Sequence, residues 1–238
     1  MTALRSLCFQ IYLYISVLLA SILVVLSFPF SYSIKFKIAR LWGHSMLYMG
    51  NVLCNIKLNV EGRCNIPSQP SVIMIKHSSV FEAYVQLVVF PEQTWVVKRE
   101  LQWIPIFGWA LSLLKAIPID RKAGTSAVTQ VINEGKKRLA SGIWITIFPE
   151  GTRMKPGETK KFGISGAALA VASKTQILPV AHNAEDVWES GKLLKKPGIV
   201  SFCIGEPINT ENKTAREIND ELKTWIDSRM KLISEAHN

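Results

Sequence analysis

Two short polar segments contain the residues in this sequence that could do chemistry. The first, residues 76–82, offers a histidine and a carboxylate, and the second, residues 148–153, offers a carboxylate, a glycine and an arginine. Each follows an apolar run, residues 71–75 and 143–147, of the kind that forms a buried strand. Because ligands bind at the carboxyl ends of strands in open α/β sheets, the two segments together predict an active site at such an edge.

His77 and Glu82 could act as a base and the carboxylate that orients it. If both lay on one continuous helix, at about 100° per residue, their side chains would point roughly 140° apart and could not cooperate. They can meet if His77 lies in the turn before a helix and Glu82 lies near the start of that helix. The carboxylate would then fix the tautomer of the imidazole and leave the other ring nitrogen as a base.

Other interpretations of the first segment compete with this one. Ser78 and Ser79 are too close to His77 along the chain to favour a nucleophilic triad, so a base that activates a substrate hydroxyl is preferred. A surface histidine followed by a glutamate at a helix start is the structural alternative for the motif alone. The spacing of the remaining His, Cys and carboxylate residues predicts no metal site.

The second segment has the properties of an anion site. Gly151 lets the backbone approach a ligand closely, and Arg153 can hold a phosphate through two parallel hydrogen bonds. Two cations earlier in the chain, Lys98 and Arg99, would extend the positive rim. A β-turn that carries a surface arginine is the alternative interpretation of this segment.

The composition and the charge distribution favour a membrane and an anionic partner. The chain has 238 residues, is 48% hydrophobic and carries a formal net charge of +10. Its first sixty residues contain no Asp or Glu. Such a balance suits lipid headgroups, a phosphorylated substrate or an acidic carrier protein. We therefore expect membrane phospholipids, and no nucleic acid, among the partners.

The N-terminal region contains a candidate membrane segment. Residues 11–30 carry no charge and are long enough to cross a bilayer. The basic residues that follow favour a cytoplasmic location for the C-terminal side. A cleaved signal peptide is the competing interpretation, but its apolar region would be shorter and a cleavage site of small residues should follow it. A second apolar stretch, residues 38–56, is interrupted by polar residues and fits an interfacial helix or the return arm of a hairpin that turns near residues 29–33. The sequence leaves both a single span and a hairpin in one leaflet open.

From residue 55 onward the pattern is that of an α/β fold. Apolar runs predict seven strands, and helical periodicity between them predicts covering helices. The last helix should begin at the capping box formed by Thr214 and Glu217. The predicted strands are residues 56–60, 71–75, 94–97, 116–119, 143–147, 177–180 and 199–204.

This alternation predicts a mainly parallel or mixed central sheet covered by helices, preceded by a membrane-embedded helical region. We expect residues 1–58 to anchor the chain to the membrane and residues 59–238 to form the catalytic domain. Within an apolar stretch at residues 101–114, residues 103–114 fit either the core or the wall of an acyl-chain pocket, and the sequence favours the core.

The polar segments resemble the sequence blocks of the glycerolipid acyltransferases. The first is similar to a block that pairs a histidine with an aspartate. The other blocks follow in the same order and at similar intervals, at residues 98–108, 119–121, 148–153 and 177–181. The resemblance extends from about residue 55 to residue 185, and the N-terminal region is also similar. Two residues differ from the usual pattern, because Lys76 stands where Asn is usual and Glu82 where Asp is usual.

The resemblance implies transfer of a fatty acyl group from a thioester to the sn-2 hydroxyl of 1-acylglycerol 3-phosphate, which gives phosphatidic acid. The donor would be acyl-CoA or acyl-carrier protein, with no further cofactor. His77 would deprotonate the acceptor hydroxyl while Glu82 holds the imidazole, and no acyl-enzyme is required. The active site would lie on the cytoplasmic face of the membrane, where it reaches a lipid acceptor and a water-soluble donor.

The resemblance also implies how the acceptor is bound. Arg153 and a basic residue of the second block, Lys98 or Arg99, would bind the phosphate, and a pocket would be shaped around it by Glu150, Gly151 and Thr152. Two alternatives stay open. One is acylation of another acceptor, such as glycerol 3-phosphate or a different lysolipid. The other is a non-catalytic membrane lipid-binding protein that keeps only the fold.

Overall fold

The computed structural model describes residues 2–120 and 122–237. Arg121, the last residue of the block at 119–121, lies outside the described residues. The strands are β1 Ile56–Glu61, β2 Val72–Ile75, β3 Gln93–Lys98, β4 Ile117–Ile119, β5 Trp144–Ile147, β6 Ile177–His182 and β7 Gly198–Ile204. The helices are α1 Thr2–Leu26, α2 Tyr32–Cys54, α3 Phe81–Val89, α4 Phe107–Leu113, α5 Thr125–Ala140, α6 Ser165–Ser173, α7 Ala184–Val187 and α8 Ala215–Ile233, with 3-10 turns at Arg63–Asn65, Arg99–Trp103 and Glu235–His237.

The seven strands form one mixed sheet in the order β1-β7-β6-β2-β5-β3-β4. Neighbouring strands are parallel except β6 and β7, which are antiparallel. The prediction of a mainly parallel or mixed sheet is therefore confirmed. Each predicted strand is present, and its bounds differ from the prediction by at most two residues. The capping box at the start of α8 is also present.

The central strand β2 is apolar throughout because both faces of the sheet are covered. Ile73 and Ile75 pack into a core shared with α1, α2, α3 and α4. Val72 and Met74 point to the other face and pack into a core shared with α5, α6 and α8. Successive side chains of a strand point to opposite faces, so a strand buried on both sides reads as a continuous apolar run.

The N-terminal region is a hairpin of two helices. Among the described residues, α1 is the one helix that is long and apolar enough to cross a membrane, with a mean hydropathy of 2.3 over its most apolar window. The chain turns at residues 27–31, and α2 packs back along α1. Both helices contribute to the core over the sheet, and α1 leaves a row of leucines exposed along its outer face.

The polar residues of α2 have a structural use that the sequence did not indicate. Arg40 donates hydrogen bonds to the carbonyls of Leu87 at 3.0 Å and Phe90 at 2.8 Å. These carbonyls lie at the C-terminal end of α3, where backbone acceptors lack partners within the helix. The second helix of the hairpin is therefore fastened to the α/β fold by a charged side chain as well as by apolar packing.

The apolar stretch at residues 101–114 is only partly core. Ala110, Leu111 and Leu114 are buried, as the sequence favoured. Trp103 and Trp109 are exposed, so the prediction that the stretch packs inside is wrong for these two residues. Trp109 lies on the outer side of the short helix α4, whose other side packs against α1, and Trp103 is the last residue of the 3-10 turn that precedes α4.

Candidate active site

The two polar segments meet at one edge of the sheet. Strands β2 and β5 are parallel neighbours, so the segments that follow their carboxyl ends are adjacent in space. A backbone hydrogen bond joins them directly, since the N–H of Met154 donates to the carbonyl of His77 at 2.8 Å. The structure thus places both segments where a ligand of an α/β sheet would bind.

His77 and Glu82 form a close pair. Helix α3 begins at Phe81, so His77 lies in the segment before the helix and Glu82 lies in its first turn. The Nδ1 atom of His77 is 2.7 Å from Oε1 of Glu82. The N–H of Ser79 donates to both carboxylate oxygens at 3.1 Å, which fixes the carboxylate plane. With Nδ1 engaged, Nε2 is the ring nitrogen left to accept a proton.

The carboxylate of Glu82 is fully buried but remains ionised. Burial alone would raise the pKa of Glu82. The hydrogen bond from His77 and the nearby imidazole of His182 outweigh this effect and hold the pKa below its ordinary value. A buried anion beside the imidazole stabilises the imidazolium that forms when His77 takes a proton.

His182, which the sequence analysis did not single out, lies on the other side of Glu82. Its Nε2 atom is 3.7 Å from Oε2 of Glu82 and donates to the carbonyl of Lys76 at 2.9 Å. Its Nδ1 atom accepts a hydrogen bond from the N–H of Ala184 at 3.3 Å. Burial lowers the pKa of His182, and its two hydrogen bonds hold the backbone that leads to His77.

Phe148 and Gly151 shape the second segment around His77. The ring of Phe148 stacks on the imidazole with centroids 4.1 Å apart and planes inclined by 22°. Gly151 has a φ of +70°, a conformation that glycine adopts without strain and other residues rarely adopt. The loop therefore turns sharply after Phe148 and returns to His77 at Met154.

Glu150 is buried next to His77. Its Oε2 atom accepts a hydrogen bond from the N–H of His77 at 3.2 Å. Burial raises the pKa of Glu150 to about 7, although its own backbone hydrogen bond and the charge of Lys76 oppose the rise. Glu150 is therefore near its midpoint at neutral pH and supports the backbone of His77.

His77, Lys98 and Arg153 border the same cavity, which has a volume of about 280 Å³. The remaining lining is mostly apolar and includes Val24 from α1 and Leu111 from α4. A site of this kind combines a base, two cations and an apolar wall, which suits an amphiphile with an anionic head. Within the part of the chain that the structure describes, no group of three or more His, Cys, Asp or Glu side chains is arranged to hold a metal.

The other predicted binding residues lie outside this cavity. Arg99 is exposed and pairs with Asp120 at 3.1 Å, so Lys98 is the cation of the second block that borders the cavity. Glu150 and Gly151 border a neighbouring cavity of about 410 Å³. Thr152 is exposed and borders neither cavity.

Lys76, which stands where Asn is usual in the resembled family, faces away from the cavity. Its side chain is buried, and its Nζ atom is 3.8 Å from Oε2 of Glu185. The other carboxylate oxygen of Glu185 is 2.9 Å from Nε2 of His237, in the C-terminal 3-10 turn. The unusual lysine is thus matched by a buried carboxylate directly beneath the segment that carries His77.

We predict that the effects of Lys76 and Glu185 on the thermal stability of the protein are not additive. Lys76→Met and Glu185→Gln should each lower the thermal midpoint, by about 6 °C or more, because removing one partner leaves an uncompensated buried charge. The double variant should recover most of the loss. Lys213→Met breaks an exposed pair with Glu221 and should change the midpoint little. Thermal unfolding in detergent gives the midpoint of all four variants. If the loss in the double variant equals the sum of the two single losses, Lys76 and Glu185 do not stabilise each other.

Comparison with known proteins identifies a family and relatives of this chain. The acyltransferase family profile matches residues 57–183. The chain is 37% identical over 209 residues to a 1-acyl-sn-glycerol-3-phosphate acyltransferase of Pseudomonas aeruginosa, which covers 87% of this chain and 81% of that protein. It is 28% identical over 186 residues to the alpha form of the mouse enzyme of that name, covering 76% of this chain and 64% of that protein.

A solved structure shows the same fold. The crystal structure of a 1-acyl-sn-glycerophosphate acyltransferase from Thermotoga maritima superposes with a TM-score of 0.78 over 96% of this chain and 95% of that chain, at 19% sequence identity. The family profile spans the region from β1 to the end of β6, which includes His77, Glu82 and Arg153. The match over more than half of the sequence, together with the Pseudomonas relative, shows that this chain belongs to the acyltransferase family.

Proposed function

We propose that the protein transfers a fatty acyl group from a thioester donor, acyl-CoA or acyl-carrier protein, to the sn-2 hydroxyl of 1-acylglycerol 3-phosphate. The observation that carries this proposal is the shared cavity bordered by His77, Lys98 and Arg153. A histidine paired with a carboxylate and two cations border one space, which supports base-assisted transfer to an anionic acceptor. The names of the relatives, which are 1-acyl-sn-glycerol-3-phosphate acyltransferases, support this choice of acceptor.

In the proposed reaction, Nε2 of His77 takes the proton of the sn-2 hydroxyl as its oxygen attacks the thioester carbonyl. The tetrahedral intermediate collapses, the carbon–sulfur bond breaks, and the thiolate leaves. The proton held by His77 then neutralises the thiolate. Glu82 stabilises the imidazolium between these two steps through the 2.7 Å contact with Nδ1. The products are phosphatidic acid and the free thiol of the donor.

Lys98 and Arg153 are proposed to bind the phosphate of the acceptor. Arg153→Ala should raise the KM for 1-acylglycerol 3-phosphate by about 10- to 100-fold, because charge-assisted hydrogen bonds contribute about 1.5–3 kcal/mol. Lys98→Ala should act in the same direction. Acylation of a monoacylglycerol, which lacks the phosphate, should be affected little by either change. Steady-state kinetics with both acceptors measures this difference.

Two further variants sharpen this test. Arg99→Ala should leave the KM within about threefold if Lys98 is the phosphate ligand, since Arg99 is held outside the cavity by Asp120. Lys137→Ala removes an exposed cation on α5 and controls for a general effect of net charge. If Arg153→Ala reduces acylation of both acceptors equally, Arg153 does not recognise the phosphate.

The alternative acceptors are distinguished by the same assay. Faster acylation of glycerol 3-phosphate than of its 1-acyl derivative would favour the first alternative. Absence of thioester cleavage with every acceptor would favour a lipid-binding protein. The apolar wall of the cavity favours an acceptor that already carries one acyl chain over glycerol 3-phosphate.

We also propose that residues 1–58 attach the catalytic domain, residues 59–238, to the cytoplasmic face of the membrane. The exposed apolar side of α1 and the basic residues after it support this arrangement. A cysteine introduced as Thr152→Cys, in a chain whose exposed Cys8 and Cys64 are changed to serine, shows which side of the membrane the loop faces, because the remaining Cys54 and Cys203 are buried. Labelling of intact cells by a reagent that does not cross the membrane would contradict the cytoplasmic location.

A further inference from the structure

A second apolar surface lies on the catalytic domain, separate from the helical hairpin. Trp103, Ile104 and Trp109 are 67%, 46% and 57% exposed. Two large aromatic side chains and an isoleucine close together on a surface are unusual for a face that contacts only water. Tryptophan is also the residue type that is enriched where a protein meets the headgroup region of a bilayer.

A strained turn lies between Ile104 and Trp109. The N–H of Phe107 donates to the carbonyl of Pro105 at 2.7 Å, which makes a γ-turn centred on Ile106. Ile106 has a φ of 66° and a ψ of −57°, a conformation that is costly for a β-branched residue. A side chain at Gly108 would approach the carbonyl oxygen of Gln102 to 2.2 Å. The segment is therefore packed in one conformation.

This surface lies beside the hairpin, because α4, the helix that carries Trp109, contacts α1. Helix α4 packs against α1, and both helices contribute residues to the wall of the cavity that contains His77. The outer side of α1 exposes leucines along its length, among them Leu18 and Leu23. An object that covers the apolar side of α1 and extends past α4 would reach the two tryptophans.

Cations at the edge of the surface indicate the charge of that object. The guanidinium of Arg99 lies 6.0 Å from the ring centre of Trp103, and Lys98 is adjacent in the chain. Both side chains are about half exposed, and each also contacts a carboxylate, Lys98 that of Glu100 at 3.6 Å and Arg99 that of Asp120 at 3.1 Å. Tryptophans bordered by arginine and lysine match the boundary between the acyl chains and the headgroups of an anionic bilayer.

We propose that Trp103, Ile104 and Trp109 form a second membrane contact, which inserts into an anionic phospholipid bilayer beside the α1–α2 hairpin. The proposal rests on the membrane attachment proposed above, and it adds a contact made by the catalytic domain itself. Because α4 and α1 both border the catalytic cavity, this contact holds the cavity against the bilayer. A lysolipid acceptor then needs to move only a short distance from the membrane to His77.

Quenching of tryptophan fluorescence tests the contact. The full chain is reconstituted into vesicles of phosphatidylglycerol and phosphatidylcholine, with and without bromine on the acyl chains. Bromine should quench the wild-type protein and should quench Trp103→Phe/Trp109→Phe clearly less. Trp225→Phe on α8 should keep the wild-type quenching, because α8 packs on the opposite face of the sheet. Equal quenching of the wild type and the double variant would overturn the proposal.

Kinetics provides a second measurement. Trp103→Ala/Trp109→Ala should lower kcat/KM for a long-chain lysophosphatidate in vesicles by about tenfold, and should leave acylation of a short-chain, water-soluble acceptor within about twofold. Leu232→Ala, at an exposed apolar position of α8, should change neither. A loss confined to carrier-protein donors would overturn the proposal and identify a protein-docking surface instead.

The outcomes separate this proposal from the ones on which it rests. If the wild-type protein fails to remain with the vesicles, the membrane attachment is wrong. If it remains but forms no phosphatidic acid, the proposed reaction is wrong. The third outcome is that the wild-type protein remains with the vesicles and forms phosphatidic acid, while the Phe/Phe variant is quenched like the wild type and the Ala/Ala variant reacts like it. In that case only the second membrane contact is wrong.

Discussion

His77→Ala is expected to lower kcat for acyl transfer by about 10²- to 10⁴-fold, the range that a positioned general base contributes. The imidazole borders the cavity and is held by Glu82 at 2.7 Å, and no second imidazole among the described residues borders that cavity. The KM for the acceptor should change little, because Lys98 and Arg153 remain. Membrane attachment should also persist, since α1 and α2 are unchanged.

The measurement is phosphatidic acid formed from a radiolabelled acyl donor and 1-acylglycerol 3-phosphate by purified protein. His44→Ala removes an exposed histidine of α2 and serves as the matched control. Thermal unfolding should accompany the assay, because His77→Ala leaves the buried carboxylate of Glu82 with one partner fewer. If His77→Ala, still folded, keeps activity within about tenfold of the wild type, His77 is not the general base.

Glu82→Gln should be the second most damaging change, and clearly worse than Glu82→Asp. The amide keeps the size of the side chain but loses the negative charge that stabilises the imidazolium. Its NH₂ group can also face Nδ1 of His77 and select the wrong tautomer. In serine proteases the corresponding Asp-to-Asn change lowers kcat by about 10⁴ with the geometry intact. We expect a loss of about 10² or more here, mainly in kcat.

Glu82→Asp retains the charge, so its loss should come from distance. The shorter side chain cannot keep both the contact to His77 and the two hydrogen bonds from Ser79. Comparing kcat and KM for the two variants separates charge from geometry. Normal turnover by the glutamine variant, or a loss that lies wholly in KM, would show that Glu82 is not the partner of His77.

Much of the fold could be predicted because the sheet is buried on both faces. Strands such as Val72–Ile75 and Trp144–Ile147 are uninterrupted apolar runs, and a polar turn follows each one. His77 lies before a helix and Glu82 lies in its first turn, which is the arrangement that the sequence analysis required for the two side chains to meet. Local sequence patterns of this kind predict the structure correctly because the tertiary packing favours the same conformations.

The contacts between distant segments could not be predicted from the sequence. His182 lies 106 residues from Lys76, whose carbonyl it binds, and reaches it only because β6 pairs with β2. Nothing in the pattern of β6 selects that neighbour. The same holds for Glu185, which becomes the partner of Lys76 through the segment that follows β6. The hairpin stayed open for the same reason, because the hydrogen bond from Arg40 that fastens α2 to α3 joins residues far apart in the chain.

The exposed tryptophans were misjudged for a related reason. Apolar composition alone cannot tell a residue that faces the core from one that faces a membrane, because both environments exclude water. Trp103 and Trp109 lie in the same apolar stretch as the buried Leu111 and Leu114. Only the folded structure separates the exposed tryptophans from the buried leucines, through the packing of α4 against α1 and the position of Trp103 in the 3-10 turn before α4.

The central claim is direct transfer from the donor to a hydroxyl that His77 activates, and the acceptor dependence of thioester cleavage tests it most directly. Thiol release is followed in a single turnover, with enzyme in excess over acyl-CoA or acyl-carrier protein, with and without 1-acylglycerol 3-phosphate. We expect thiol release only with the acceptor, in an amount equal to the phosphatidic acid formed. A stoichiometric release of thiol without the acceptor, leaving the acyl group on the protein, would contradict the account.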